Sequence, residues 1–128
     1  MSLTGNTNFA SPDVFDDGCL RVEHDKYYVA CAGRPLYNLT IKEFLVLSRL
    51  AWESGRIVSQ QALWASGWGE DAEFDDHASR VLKVHISTLR HKLKPFGLHI
   101  ISKPSLGYVL STADCVCPAT DAQRSTDQ

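Results

Sequence analysis

The side chains best suited to chemistry lie in one segment, residues 77 to 113. This segment contains six Lys or Arg residues, four histidines and no Asp or Glu, although the whole chain of 128 residues has a net charge of −2. Lys, Arg, His, Ser and Thr side chains donate hydrogen bonds to phosphate oxygens and to the edges of bases. The segment therefore predicts a localised positive surface for nucleic acid, which the acidic total conceals.

Catalytic and metal-binding chemistry fit the sequence less well. Asp75 and Asp76 precede His77, but adjacent residues at a helix start point in different directions, and no nucleophile, phosphate loop or oxyanion device accompanies them. The four cysteines, Cys19, Cys31, Cys115 and Cys117, lack the C-x-x-C spacing of common zinc sites. We predict no enzyme activity, no metal site and no cofactor.

The basic segment begins with a strongly patterned helix. Apolar residues at i, i+4, i+7 and i+11 predict a helix over residues 77–94 that buries one stripe, with Asp75 or Asp76 as its N-cap. Pro95 and Gly97 end this helix. The buried stripe comprises Leu82, Ile86, Leu89 and Leu93.

Two further helices and several short strands precede it. Thr40 and Glu43 form a capping box that predicts a helix up to Ser54, and Ser59 caps a second helix from Gln60 to about Ser66. Turn residues divide the region before Thr40 into four short strands, and two extended pieces follow the third helix as a hairpin. The predicted strands are Val14–Phe15, Leu20–Glu23, Tyr27–Ala32 and Leu36–Leu39, and the hairpin pieces are Leu98–Lys103 and Gly107–Leu110.

This order predicts an α+β fold: a winged helix-turn-helix with an N-terminal four-stranded antiparallel sheet, three helices and a C-terminal β-hairpin wing. We expect residues 1–12 to be a flexible lead-in, 13–111 to be the winged-helix domain and 112–128 to be a disordered tail. The sequence shows neither a membrane span nor a secretory signal, so we expect a cytoplasmic protein.

Five motifs in this order resemble the OmpR/PhoB-type effector domain of bacterial response regulators, over about residues 14 to 111. Each motif is short, and the signature lies in their combined order and spacing. They are Leu39-Thr40-x-x-Glu43-Phe44, Gly55-x-x-Val58-Ser59, Trp68-Gly69, Val84-His85-Ile86-x-x-Leu89-Arg90-x-Lys92-Leu93 and Gly107-Tyr108-x-Leu110.

The resemblance implies a transcription regulator in a two-component system. Its third helix would be the recognition helix in the major groove of double-stranded DNA, its hairpin a wing near the minor groove, and its target a direct repeat bound by a homodimer. The implied base contacts are Lys83, Val84 and Thr88. The implied phosphate contacts are Arg80, His85, Ser87 and Arg90, with support from Trp68, Lys103 and Tyr108.

The sequence departs from the family pattern in the recognition helix and the wing. Lys83 replaces a usual Asp, Thr88 replaces a frequent Arg, and the wing has Lys103-Pro104-Ser105-Leu106 where an arginine and a glycine normally precede Gly107-Tyr108. The acidic loop 69–76 is either a contact for RNA polymerase or a solvated connector. A protein-interaction module on a winged-helix scaffold is therefore the alternative to a DNA-binding regulator.

Overall fold

The computed structural model describes residues 13–53 and 55–114, and the predicted order of elements is confirmed. Four strands form an antiparallel sheet, three helices follow, and two strands form a C-terminal hairpin. The strands of the sheet are β1 Val14–Asp16, β2 Leu20–Glu23, β3 Tyr28–Cys31 and β4 Arg34–Pro35. The helices are α1 Ile41–Trp52, α2 Gln60–Trp68 and α3 Asp76–Leu93, and the hairpin strands are β5 His99–Lys103 and β6 Gly107–Ser111.

The fourth strand of the sheet differs from the sequence-based expectation. It was predicted at Leu36–Leu39 and lies at Arg34–Pro35, where Arg34 pairs with Cys31. Ala32 and Gly33 both have positive φ, +55° and +81°, so the turn needs only two residues. The sequence-based prediction placed the turn at Gly33-Arg34, which moved the strand too far along the chain.

The first helix begins as its capping box predicts. The Thr40 hydroxyl accepts from the Glu43 N–H at 3.2 Å, and the Glu43 carboxylate accepts from the Thr40 N–H at 3.0 Å. The helix ends at Trp52, two residues before the expected Ser54. Helix α2 is longer than expected, because Gly67 and Trp68 continue it and Gly69, at φ +107°, ends it.

The core lies between the sheet, the three helices and the hairpin. The predicted stripe of α3 is confirmed, since Leu82, Ile86, Leu89 and Leu93 are each at most 1% exposed. Each such side chain stabilises the fold by about 1.5–3 kcal/mol through burial. The stripe packs against a cluster that includes Leu20, Val22, Val29, Phe44, Leu47 and Leu50.

A buried ion pair fixes α3 against α1. The ammonium of Lys92 lies 2.6 Å from Glu43 Oε1 and donates to the Asn38 carbonyl at 2.6 Å. Glu43 is 3% exposed. The carboxylate that caps α1 therefore also receives a cation from the last turn of α3, which orients the exposed face of that helix.

The predicted lead-in 1–12 lies outside the described residues, as does the tail from residue 115 onward. The domain limits of 13 and 111 thus stay predictions. Within the described part of the chain, no helix has the length and apolar character needed to cross a membrane.

Candidate nucleic-acid interface

The exposed face of α3 collects most of the predicted contact residues. Asp75 is its N-cap, and the Asp75 carboxylate accepts from the Ala78 N–H at 2.8 Å. Since the apolar stripe faces the core, the 3.6-residue period turns the opposite side toward solvent. The exposed residues of this side include Arg80, Lys83, Val84, Ser87 and Thr88.

This face combines an apolar centre with polar margins. Val84 is 63% exposed, with Arg80 one turn before it and Thr88 one turn after it. A helix of about 10–12 Å diameter fits a major groove about 12 Å wide. All three predicted base-contact residues, Lys83, Val84 and Thr88, are exposed, and their contacts with base edges stay a prediction.

His85 lies on the flank of α3 and is half-buried. Its Nδ1 is 2.9 Å from the Val81 carbonyl oxygen, and its ring packs edge-on against Trp68 at 5.0 Å. Because a carbonyl oxygen only accepts, Nδ1 carries the proton in this contact. A phosphate contact by His85 would then use Nε2, which donates only when the ring is protonated.

Trp68 belongs to a small aromatic layer between α2 and α3. Its ring stacks on Trp64 with centroids 4.0 Å apart and planes 9° apart, and Phe74 also packs on Trp64 at 6.3 Å. Trp68 is half-buried, so packing occupies much of its surface. Its proposed backbone contact with DNA stays a prediction.

Lys42 of α1 joins this layer and was missed at the sequence level. Its ammonium lies 5.1 Å from the Trp68 ring centroid and donates to the Gly67 carbonyl at 2.7 Å. Lys42 thus places a cation at the carboxyl end of α2, where the helix dipole favours positive charge. No local pattern indicates this contact, because Lys42 and Gly67 are 25 residues apart.

Arg90 faces the wing. Its Nε donates to the Ile100 carbonyl at 2.8 Å, and its Nη2 donates to the Ser102 hydroxyl at 2.6 Å. Its guanidinium carbon lies 5.8 Å from the centre of the Tyr108 ring. The structure therefore places this predicted phosphate contact against both strands of the hairpin.

The remaining predicted contacts lie on the wing itself. Tyr108 is 6% exposed and its backbone forms two hydrogen bonds with Val58, of 2.7 and 2.9 Å. Lys103 is exposed at the end of β5, and its carbonyl accepts from the Leu106 N–H at 2.9 Å to close the tip. Leu106 is 60% exposed, so the tip presents one large apolar side chain beside Lys103 and Ser105.

The acidic loop 69–76 is attached to the helices on either side of it. Phe74 packs on Trp64 and Asp75 caps α3, while Glu70, Asp71 and Glu73 are exposed. Among residues 13–53 and 55–114, no group of three or more His, Cys, Asp or Glu side chains is arranged to hold a metal ion.

The family model described as "Transcriptional regulatory protein, C terminal" matches residues 33–110, from the turn before β4 to β6. The chain belongs to this family. It is an OmpR/PhoB-type effector domain, as its motifs indicated.

Curated relatives of this effector domain are longer response regulators. The sensory transduction protein RegX3 of Mycolicibacterium smegmatis is 32% identical over 104 residues, which cover 79% of this chain and 44% of RegX3. The response regulator ArlR of Staphylococcus haemolyticus is 30% identical over 100 residues, which cover 77% of this chain and 44% of ArlR. The effector domain thus spans less than half the length of these relatives.

Solved structures share its fold. The DNA-binding domain of RstA from Klebsiella pneumoniae, in complex with the RstA box, has a TM-score of 0.63 and 25% identity, covering 77% of this chain and 96% of that one. The DNA-binding domain of CpxR from E. coli has a TM-score of 0.59 and 27% identity, covering 76% of this chain and 94% of that one.

Proposed function

We propose that this effector domain is a sequence-specific DNA-binding transcription regulator. Its helix α3 enters the major groove, and its β5–β6 hairpin approaches the neighbouring minor groove. The observation that carries the proposal is the exposed face of α3, which lies in a segment without acidic residues and combines cationic, hydroxyl and apolar side chains. The fold shared with RstA, whose DNA-binding domain was solved with the RstA box, supports it.

Base contacts follow from the chemistry of three exposed residues. Lys83 is suited to guanine O6 and N7, and Val84 to the methyl group of thymine. Thr88 offers a hydroxyl that both donates and accepts. Because Lys83 and Thr88 depart from the family pattern, we propose a target sequence that differs from those of the usual members.

Phosphate contacts flank these residues. Arg80, Ser87 and Lys103 are exposed and able to donate to phosphate oxygens, and His85 does so when protonated. The family resemblance also implies phosphate contacts by Arg90, Trp68 and Tyr108, but each of these residues makes contacts within the protein, and Arg90 is not counted among the proposed phosphate contacts.

The longer relatives suggest the wider setting. We propose that this chain acts in two-component signal transduction, as a cytoplasmic regulator and not as an enzyme, and that it binds a direct-repeat site as a homodimer. We also propose loop 69–76 as a surface for RNA polymerase, since Glu70, Asp71 and Glu73 are exposed there.

Binding to a duplex selected from random DNA tests the proposal. With about five phosphates neutralised, log K falls with log salt at a slope of about −4 to −5. Arg80→Ala removes one contact and makes the slope shallower by about 0.9. Arg21→Ala, which removes an arginine from the sheet instead, leaves the slope unchanged. Equal slopes for the Arg80 variant and the wild type would contradict the proposed face.

The second candidate function is a protein-interaction module. The wing without arginine and the exposed acidic loop favour it. Binding to RNA polymerase, lost in a Glu70→Ala/Asp71→Ala variant and accompanied by no salt-dependent DNA binding, would support this candidate over the first.

A further inference from the structure

Arg90 of α3 contacts both wing strands, through hydrogen bonds to Ile100 and Ser102 of β5 and through the Tyr108 ring of β6. We propose that Arg90 is a positioning residue, which holds the wing at a fixed place beside the recognition helix, and that it makes no phosphate contact. This inference rests on the proposed DNA-binding function and deepens it, because the wing can reach the minor groove in register with α3 only if its position is fixed.

The hydrogen bonds of Arg90 form a two-point attachment to β5. Nε and Nη2 lie on one edge of the planar guanidinium, and they donate to the Ile100 carbonyl at 2.8 Å and to the Ser102 hydroxyl at 2.6 Å. A planar fork with two fixed donors sets both distance and orientation. A lysine at this position would keep the charge and lose the fork.

The second strand of the wing is fixed from the same point. The guanidinium of Arg90 lies over the Tyr108 ring of β6 at 5.8 Å, within the range of a cation–π contact. The Tyr108 backbone in turn pairs with Val58, in the segment that joins α1 to α2. Contacts therefore run from α3 through Arg90 to both hairpin strands and on to the segment before α2.

Arg80 provides the contrast that separates positioning from phosphate contact. Arg80 is exposed, whereas Arg90 is half-buried. Ten residues at 1.5 Å rise and 100° each place the two about 15 Å apart along α3 and about 80° apart around it. If Arg90 turned toward a phosphate it would break both bonds to β5 and leave the Ile100 carbonyl without this donor.

The experiment compares Arg90→Lys and Arg90→Ala with the same two changes at Arg80, on the selected duplex. For a positioning residue, both Arg90 variants lose affinity by about 10-fold and keep the wild-type salt slope. At Arg80, the lysine variant keeps the charge and hence the wild-type salt slope, while Arg80→Ala has the shallower slope. In the protein without DNA, amide exchange in strands 99–103 and 107–111 becomes at least ~10-fold faster in both Arg90 variants, relative to the α1 amides.

Ser102→Ala is the matched change on the wing side. It removes one of the two anchors without touching α3, and we expect about a 3-fold loss of affinity at an unchanged salt slope. It also keeps the test valid if Arg90→Ala does not fold.

Wild-type affinity for Arg90→Lys together with a shallower slope for Arg90→Ala would overturn the proposal and make Arg90 a phosphate contact. Unchanged wing exchange in all three variants would overturn it as well. Absence of salt-dependent binding by the wild type would instead refute the proposed function, and amide exchange in the protein without DNA would still decide the role of Arg90.

Discussion

Gly107 begins the second strand of the wing at a point where only a hydrogen atom fits on Cα. Its φ is +141°, and a Cβ there would lie 2.0 Å from the Val58 carbonyl oxygen and 2.8 Å from Ser59 Cα. Both of these are backbone atoms, which cannot swing aside as a flexible side chain can. The wing can therefore pack against the segment before α2 only if residue 107 is a glycine.

We predict that Gly107→Ala lowers the free energy of unfolding by about 2–4 kcal/mol, because it strains the backbone and forces apart the Val58–Tyr108 pair. Urea denaturation followed by tryptophan fluorescence measures the change. Gly67→Ala is the control, since a Cβ there meets its nearest atom at 3.6 Å and the residue is helical. Alanine at position 67 should be neutral or stabilise by up to about 1 kcal/mol, and a similar loss in both variants would refute this account.

The exposure and contacts of single residues were predictable from the sequence only where a local pattern determines them. The period of α3 placed Lys83, Val84 and Thr88 on the exposed side, because one stripe of that helix must be buried. The attachment of Arg90 to β5 and the contact of Lys42 with Trp68 were not predictable in this way. Both depend on side chains that tertiary packing brings together from separate elements.

Helix α3 illustrates how capping determines where an element begins. The sequence allowed Asp75 or Asp76 as the N-cap, and the structure selects Asp75 through its 2.8 Å contact with the Ala78 N–H. Local chemistry was enough here, as it was for the capping box of α1. Local chemistry was insufficient for β4. The position of this strand depends on the positive φ of Ala32, a conformation that glycine usually adopts and alanine rarely does.

We predict that Asp75→Ala destabilises the chain by about 1 kcal/mol, because it removes the cap and one favourable charge at the helix N-terminus. Glu73→Ala, an exposed change in the same acidic loop, stays within about 0.5 kcal/mol of the wild type. Thermal unfolding at low salt compares the two. Equal effects would mean that total loop charge, and not the cap, governs stability here.

The charge distribution is a property of the whole molecule. The chain has a net charge of −2, while residues 77–113 contribute six cationic side chains and no anionic ones. The net charge alone therefore disfavours binding of nucleic acid, whereas the clustering of cationic residues in one segment favours it. The sequence showed this separation directly, but only the fold places the cationic segment on one helix and one hairpin.

We predict that residues 13–111 alone form the folded unit. A chain shortened to these residues should keep its thermal midpoint within about 3 °C of the full chain, because the core lies inside these limits. Circular dichroism measures the thermal midpoints of the full and the shortened chain. A thiol reductant is present in both samples, because the full chain has four cysteines. A fall of 10 °C or more would show that the terminal segments contribute to stability.

The carboxylate of Glu43 serves two helices at once, as cap of α1 and as partner of Lys92 in α3. If the first turn of α1 frayed, it would withdraw that carboxylate and leave the ammonium of Lys92, whose side chain is only 19% exposed, without its counter-charge. Opening one helix end alone therefore has an unfavourable free energy, because it leaves a charge of the other helix end without its partner. The start of α1 and the last turn of the recognition helix should consequently open and close as one cooperative unit.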